Sequence, residues 1–317
     1  MKLAVTIDVE EEGLFRGKYD FKDVPVTNVP ELRKLDHIFG EWGIRPTLLV
    51  TYPVIRHAPH QDLLLRFRER WSAEIGAHLH HWNTPPFEPL PFPDPVPSEL
   101  MPERLLEAKL ENLLAAFEPI GVKPVSFRMG RFNMGPKMFS VLERSGIQID
   151  TSIAPTQRSY GGPNHRYAPT DPYFPDPGDP CGPGSSRILE VPITILSLMP
   201  RLGLFLDRLR KRKPSSDKWV SWIPLHLSSL PAQPMWMGLR RLQAAVLLHR
   251  KRGGQVLTIF FHSSELMPGG CPEHPTERHV ERFLDKLRRF FSWLYDEVSP
   301  EPLTLSELGD MYRRYHR

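Results

Sequence analysis

The sequence predicts an α/β fold: a parallel sheet of about seven strands, closed or nearly closed into a barrel. Three observations carry this. Seven or so short apolar segments alternate with stretches of helical periodicity. The first segment is apolar on both faces, as in an inner strand covered by helices. Polar, chemistry-bearing residues recur at the carboxyl ends of the segments, where βα enzymes place their sites.

The first strand is Leu3-Ala-Val-Thr-Ile-Asp-Val-Glu10, with Asp8 and Glu10 two apart and so on one side of a continuing strand. An acidic turn open to solvent over Asp8–Glu12 is the competing reading of its end. Pro30 opens a helix with Leu32, Leu35, Ile38, Phe39 and Trp42 on one face, and Gly43 stops it. A strand over Thr47–Thr51 and a helix carrying Leu63, Leu64, Phe67 and Trp71 follow, and then the strand Ala73–His78 runs into His80 and His81. The loop Thr84–Pro102 holds eight prolines in nineteen residues, which excludes a helix or a sheet interior and leaves a stiff wall beside the site or a plain linker.

A helix from about Pro102 to Phe117 leads to the strand Pro124–Arg128, a helix over 135–145 and a strand over 147–152 that contains Asp150. Residues 153–186, rich in Gly, Pro, Asp and Tyr, have no period and read as a loop-rich insertion. The strand Arg187–Ile195 precedes a basic amphipathic stretch over 201–213, where a solvated helix face competes with a surface for anionic lipid. A helix near 235–251, the strand Gln255–Phe261 ending at His262 and a long helix over about 276–296 complete the pattern, read as one catalytic domain over 1–317.

Composition narrows the classes. Hydrophobic residues at 40% and charged residues at 25% are ordinary for a globular chain, and 35 prolines, roughly twice the usual share, imply stiff loops. A net charge of +4 suits an anionic substrate and gives no reason to expect nucleic acid. Cys181 and Cys271, the two cysteines, make no zinc cluster by themselves. With no cleavable apolar leader and no spanning run, a cytoplasmic protein with at most peripheral membrane contact is expected. Neither the dinucleotide fingerprint nor the P-loop is present.

Four strand ends therefore carry groups that can meet at one mouth: Asp8 with Glu10, His78 with His80 and His81, Arg128, and His262. Alternation puts His78 and His80 on one side, and two imidazoles with one carboxylate leave coordination positions open, as a catalytic divalent metal requires.

In order along the chain, Thr6-Ile-Asp8-Val-Glu10, Glu74-Ile-Gly-Ala-His78, Ser126-Phe-Arg128, Asp150-Thr-Ser152 and Leu257-Thr-Ile-Phe-Phe-His262 resemble the five motifs of the polysaccharide deacetylases with the NodB homology domain, carbohydrate esterase family 4. The likeness runs from about residue 3 to 266 and marks a divergent member. It implies a distorted (β/α) barrel and metal-dependent hydrolysis of an N-acetyl amide on a sugar. By position, Asp8 resembles the general base, Glu10 and His78 the metal ligands, Arg128 the partner of the base, Asp150 the partner of the catalytic histidine, and His262 the general acid. Where the family keeps its second histidine, four after His78, stands Trp82, so the remaining ligand is His80 on parity, with His81 the alternative. Val9 stands where many members keep a second aspartate, and the tryptophan expected after the fourth motif is not evident in Asp150–Pro155.

Zinc is the expected metal, with cobalt, nickel or iron as alternatives. An amide needs a polarised carbonyl, an activated water and a protonated amine, which this set can supply. Trp82, Arg131 and Glu265 flank the motifs and are candidates for sugar binding, against packing for Trp82 and loop ion pairs for the other two. The expected substrate is an N-acetylated sugar or glycan, free or lipid-linked, in a surface-polysaccharide or lipopolysaccharide pathway. Another amide on the same fold, an N-formyl sugar or a small cyclic ureide, is one alternative. A non-catalytic glycan-binding relative is the other.

Overall fold

The computed structural model of the protein describes residues 1–19, 24–92, 96–156, 163–166, 168–198 and 229–315. Strand β1 (Lys2–Val9) is buried along all but its first residue, as a run apolar on both faces must be. It is followed by β2 (Thr47–Val50), β3 (Glu74–Leu79), β4 (Ser126–Met129), β5 (Ile149–Asp150), the hairpin strands β6 (Pro175–Asp176) and β7 (Asp179–Pro183), and β8 (Leu189–Glu190). Then come β9 (Ile195–Ser197), β10 (Ser229–Pro231), β11 (Val256–His262) and β12 (Glu301–Pro302). The main sheet runs β11-β1-β2-β3-β4-β5-β8, parallel throughout, with β12 beside the start of β1. This is the anticipated seven-stranded α/β half-barrel.

The curl is distorted at one seam. Among the described residues β8 and β11 share no ladder; past the end of β8, Thr194 N donates to Thr258 O and Thr258 N to Thr194 Oγ1, each at 2.9 Å. The wholly buried Gln233 closes the gap: its Nε2 donates to Thr194 O (3.2 Å) and Thr258 O (3.3 Å), and its Oε1 accepts from Phe260 N (2.9 Å). One side chain thus stands in for part of a missing strand, satisfying buried backbone groups.

The helices cover the sheet as their periodicity demands. They are α1 (Asp36–Trp42), α2 (Tyr52–Arg56), α3 (Ala58–Trp71), α4 (Glu103–Ala115), α5 (Pro136–Arg144), α6 (Leu239–Lys251), α7 (Glu277–Glu297) and α8 (Leu305–Tyr315). The helix expected from Pro30 begins as a 3-10 segment, Val29–Leu35, before α1, and Gly43 ends it in the left-handed conformation at φ 58°. Helix α7 turns Val280, Phe283, Leu287, Phe290, Phe291 and Leu294 inward.

Three readings need correction. The strands expected over 147–152 and 187–195 pair in the main sheet only at Ile149–Asp150 and Leu189–Glu190, and Ile195–Ser197 instead forms an antiparallel pair with β10. The insertion 153–186 contains the β6–β7 hairpin. Beyond the long helix the chain adds β12 and α8, whose N-terminal amides close the amino end of the sheet: Leu305 N donates to Thr47 Oγ1 (3.0 Å) and Ser306 N to Glu74 Oε2 (2.7 Å). The basic stretch 201–213 lies outside the described residues. No described helix is long and apolar enough to cross a membrane.

Candidate metal centre and active site

Sheet register assembles the site at the carboxyl end of the strands. Asp8 on β1 pairs with His262 on β11, and His78 on β3 pairs with Arg128 on β4. The chain leaves β1 at Glu10 and β3 at His80, each with its side chain turned to the same mouth. Asp8, Glu10, His78, His80, Arg128 and His262 all line one cavity of about 160 Å³.

Glu10, His78 and His80 are buried and present ligand atoms within 4.8 Å of one another. His78 Nδ1 lies 3.0 Å from Arg128 O and His80 Nδ1 lies 2.7 Å from Glu11 Oε1, so each Nδ1–H donates outward and each Nε2 faces the cluster. Those Nε2 atoms stand 3.5 and 3.3 Å from Glu10 Oε2. Lone pairs on three such atoms repel unless positive charge lies among them. A proton meets that need: burial opposes it, yet Glu11 and Glu10 lift His80 to about 10. A divalent cation meets it as well, because donors about 2.1 Å from a tetrahedral ion lie about 3.4 Å apart. The residues therefore fit a metal. Burial also opposes the charge on Glu10, but His262, His78 and His80 outweigh it and hold the carboxyl well below the ordinary range.

The overlapping set Asp8, Glu10 and His262 also comes within ligand distance, and Arg128 takes up one of the two Asp8 oxygens. Arg128, 1% exposed, donates from Nη1 to Asp8 Oδ1 (2.5 Å), from Nη2 to Thr6 Oγ1 (2.9 Å) and Thr151 Oγ1 (3.1 Å), and from Nε to Thr151 O (3.0 Å). The rings of Phe132 and Phe260 flank its guanidinium at 5.4 and 5.3 Å. Asp8 Oδ2 remains, 3.8 Å from His262 Nε2. His262 Nδ1 is 2.6 Å from Glu265 Oε1. Burial works against its protonation, and Glu10, Glu265 and Asp8 reverse that, raising His262 to about 9.

Two expected roles change. Asp150 does not serve His262. Its Oδ1 accepts from Ser152 Oγ (2.5 Å), and its neighbour across the β5–β8 ladder is Glu190. Asp150 Oδ2 and Glu190 Oε2 are buried without a donor among the described residues, a need that one proton shared between the carboxyls would meet; burial raises Asp150 to about 6, and burial with the Asp150 charge lifts Glu190 well above the ordinary carboxylate range. Glu265, 1% exposed, sits behind His262 as its partner and is not among the residues that line the cavity. Of the two candidates for the remaining ligand, His80 stands in the cluster, while His81 is buried outside it, with its pKa lowered to about 3 by burial and Lys109. Trp82 and Arg131 do border the cavity. Arg131 Nη1 donates to Tyr19 Oη (2.9 Å), while Trp82 is 5% exposed and packs on His80.

Two buried carboxylates, Glu11 and Glu190, lie outside the roles the sequence assigns. Parity hid Glu11, because the strand ends at Val9 and the rule of alternation ends with it. Glu190 carried a readable signal, a lone carboxylate amid Ile188, Leu189 and Val191. The turn after β4 is held unusually: Arg131 and Phe132 both adopt left-handed φ, 57° and 53°, at the rim of the cavity.

No protein-family model matches the sequence, and no curated protein does. Solved structures match in fold. A protein of Mycobacterium smegmatis assigned to the polysaccharide deacetylases is similar with a TM-score of 0.60 and 17% identity, over 99% of this chain and 91% of that one. One of Parabacteroides distasonis, assigned as a glycoside hydrolase/deacetylase, gives 0.65 and 14% over 99% and 71%. The 4-alpha-glucanotransferase of Thermococcus litoralis gives 0.55 and 13%, over 97% of this chain and 40% of that enzyme. The chain has the fold of the polysaccharide deacetylases, as its motifs anticipated. The glucanotransferase carries another chemistry on the same architecture, so activity is argued from the site.

Proposed function

We propose that the chain is a metal-dependent amidohydrolase that removes an N-acetyl group from a sugar. What supports this is the placing of two buried imidazoles and the Glu10 carboxylate beside a separately held base and acid, Asp8 and His262, in one cavity. Glu10, His78 and His80 hold the metal, which when bound polarises the amide carbonyl and lowers the pKa of water. Two imidazoles and a carboxylate favour zinc, with cobalt, nickel or iron on the same donors.

The remaining work falls to the protein. Arg128 engages Asp8 Oδ1, which leaves Oδ2 to take a proton from the attacking water. His262, fixed at Nδ1 by Glu265, gives the Nε2 proton to the departing amine. A cavity of about 160 Å³ is close to the ~150 Å³ that holds one benzene, so an acetamido or formamido group enters while the sugar ring stays at the mouth by Tyr19, Trp82 and Arg131. The positive net charge suits an anionic surface-glycan precursor handled in the cytoplasm.

The test is release of acetate from N-acetylated oligosaccharides and of formate from N-formyl sugars, with added zinc and with chelator. Acetate release abolished by chelator and by His262→Ala supports the reading. Formate release alone moves it to the formyl amide, and release from neither overturns it in favour of a glycan-binding protein.

A further inference from the structure

The two histidines of the proposed centre are not held alike. His78 lies within β3, and its Nδ1 is engaged by a backbone carbonyl, Arg128 O, which the sheet itself fixes. His80 lies beyond the last residue of β3, so no ladder sets the direction of its ring. Side chains do so instead. Glu11 Oε1 receives both His80 Nδ1–H at 2.7 Å and Trp82 Nε1–H at 3.2 Å, and the Trp82 ring stacks on the imidazole with centroids 4.2 Å apart and planes at 29°. Glu11 and His80 are 2% and 1% exposed. Gly130 lies against both rings, where a Cβ would stand 2.5 Å from His80 Cδ2 and 3.1 Å from Trp82 Cη2.

We infer that Glu11 and Trp82 are a positioning couple that turns His80 into a metal ligand. The inference rests on the metal-centre reading above. A carboxylate on Nδ1 fixes the tautomer that leaves Nε2 free and makes the imidazole a stronger donor. The indole supplies a second bond to that carboxylate and a flat wall against the ring, so the residue standing four after His78 supports a ligand without being one. Burying the Glu11 carboxyl so fully is costly in a purely structural role. Its Oε2 has no partner among the described residues, which marks the oxygen facing His80 and Trp82 as the one the site uses.

The experiment is zinc competition against a chromophoric chelator, with the visible spectrum of the cobalt-substituted protein, on wild type, Glu11→Ala, Glu11→Gln, Trp82→Phe and the control His81→Ala. Outer partners of metal-bound histidines set affinity by about 10–100-fold, so Glu11→Ala is expected to weaken zinc by that factor and to alter the cobalt bands. Glu11→Gln, which keeps an acceptor without the charge, falls between, Trp82→Phe loses less, and His81→Ala matches wild type. If Glu11→Ala does not fold, the isosteric Glu11→Gln decides. Affinities within twofold of wild type and unchanged bands in the Glu11 variants overturn the inference and leave the metal centre standing. A wild type that binds neither metal overturns the centre itself, and the inference with it.

Discussion

Arg128 and Asp8 meet through a 2.5 Å bond from Nη1 to Oδ1, between strand ends 120 residues apart, with both side chains almost wholly buried. The pair spans the site from β4 to β1, and its geometry decides which Asp8 oxygen is left for chemistry.

Breaking a buried pair by removing one partner strands a charge, at about 3–5 kcal/mol. Arg128→Ala is expected to lose stability of that order in urea unfolding, and Asp8→Asn less, because the amide oxygen still accepts from Arg128. A loss under about 1 kcal/mol for Arg128→Ala contradicts a pairing of this kind.

The Asp150–Glu190 pair is expected to make stability fall with rising pH. Both carboxyls bind protons more tightly folded than unfolded, Asp150 at about 6 in place of 3.8 and Glu190 higher than its usual 4.5. Their contribution is complete below about pH 4 and is lost as pH rises through about 6 and beyond. Glu190→Gln mimics the protonated acid, accepting from Ile153 N, as Glu190 Oε1 does at 3.0 Å, and donating to Asp150. Its melting temperature, relative to wild type, should climb between pH 5 and pH 8. Parallel curves across that range contradict the shared proton.

Gly130 is required by a close approach and not by its backbone angles. An added methyl would press on His80 Cδ2 at 2.5 Å and on Leu79 O at 2.9 Å. Gly130→Ala is expected to cost about 1–3 kcal/mol through overpacking and to weaken zinc binding at least tenfold by moving His80. Unchanged zinc affinity contradicts that close approach.

Much of the fold was legible because β1, β3 and β11 carry long apolar runs whose polar ends mark the mouth. Where pairing shrinks to two residues, as at β5 and β8, periodicity overstates the strand, since burial and not the ladder keeps the flanking residues apolar. The closure by Gln233 is invisible in sequence, because one amide replaces a strand. In the site, residues on continuous strands could be placed by alternation. The partner of His262 could not, for Glu265 arrives from the 3-10 turn Ser263–Leu266, three residues on, and not from the aspartate on β5.

The central claim is that Glu10, His78 and His80 hold a divalent metal. It is tested most directly by elemental analysis of dialysed wild type, Glu10→Ala, His78→Ala, His80→Ala and His81→Ala after incubation with zinc. The account predicts about one metal per chain in wild type and His81→Ala, and near none in the other three. A wild type that stays metal-free, or a His80→Ala that keeps its metal while His81→Ala loses it, would contradict the account.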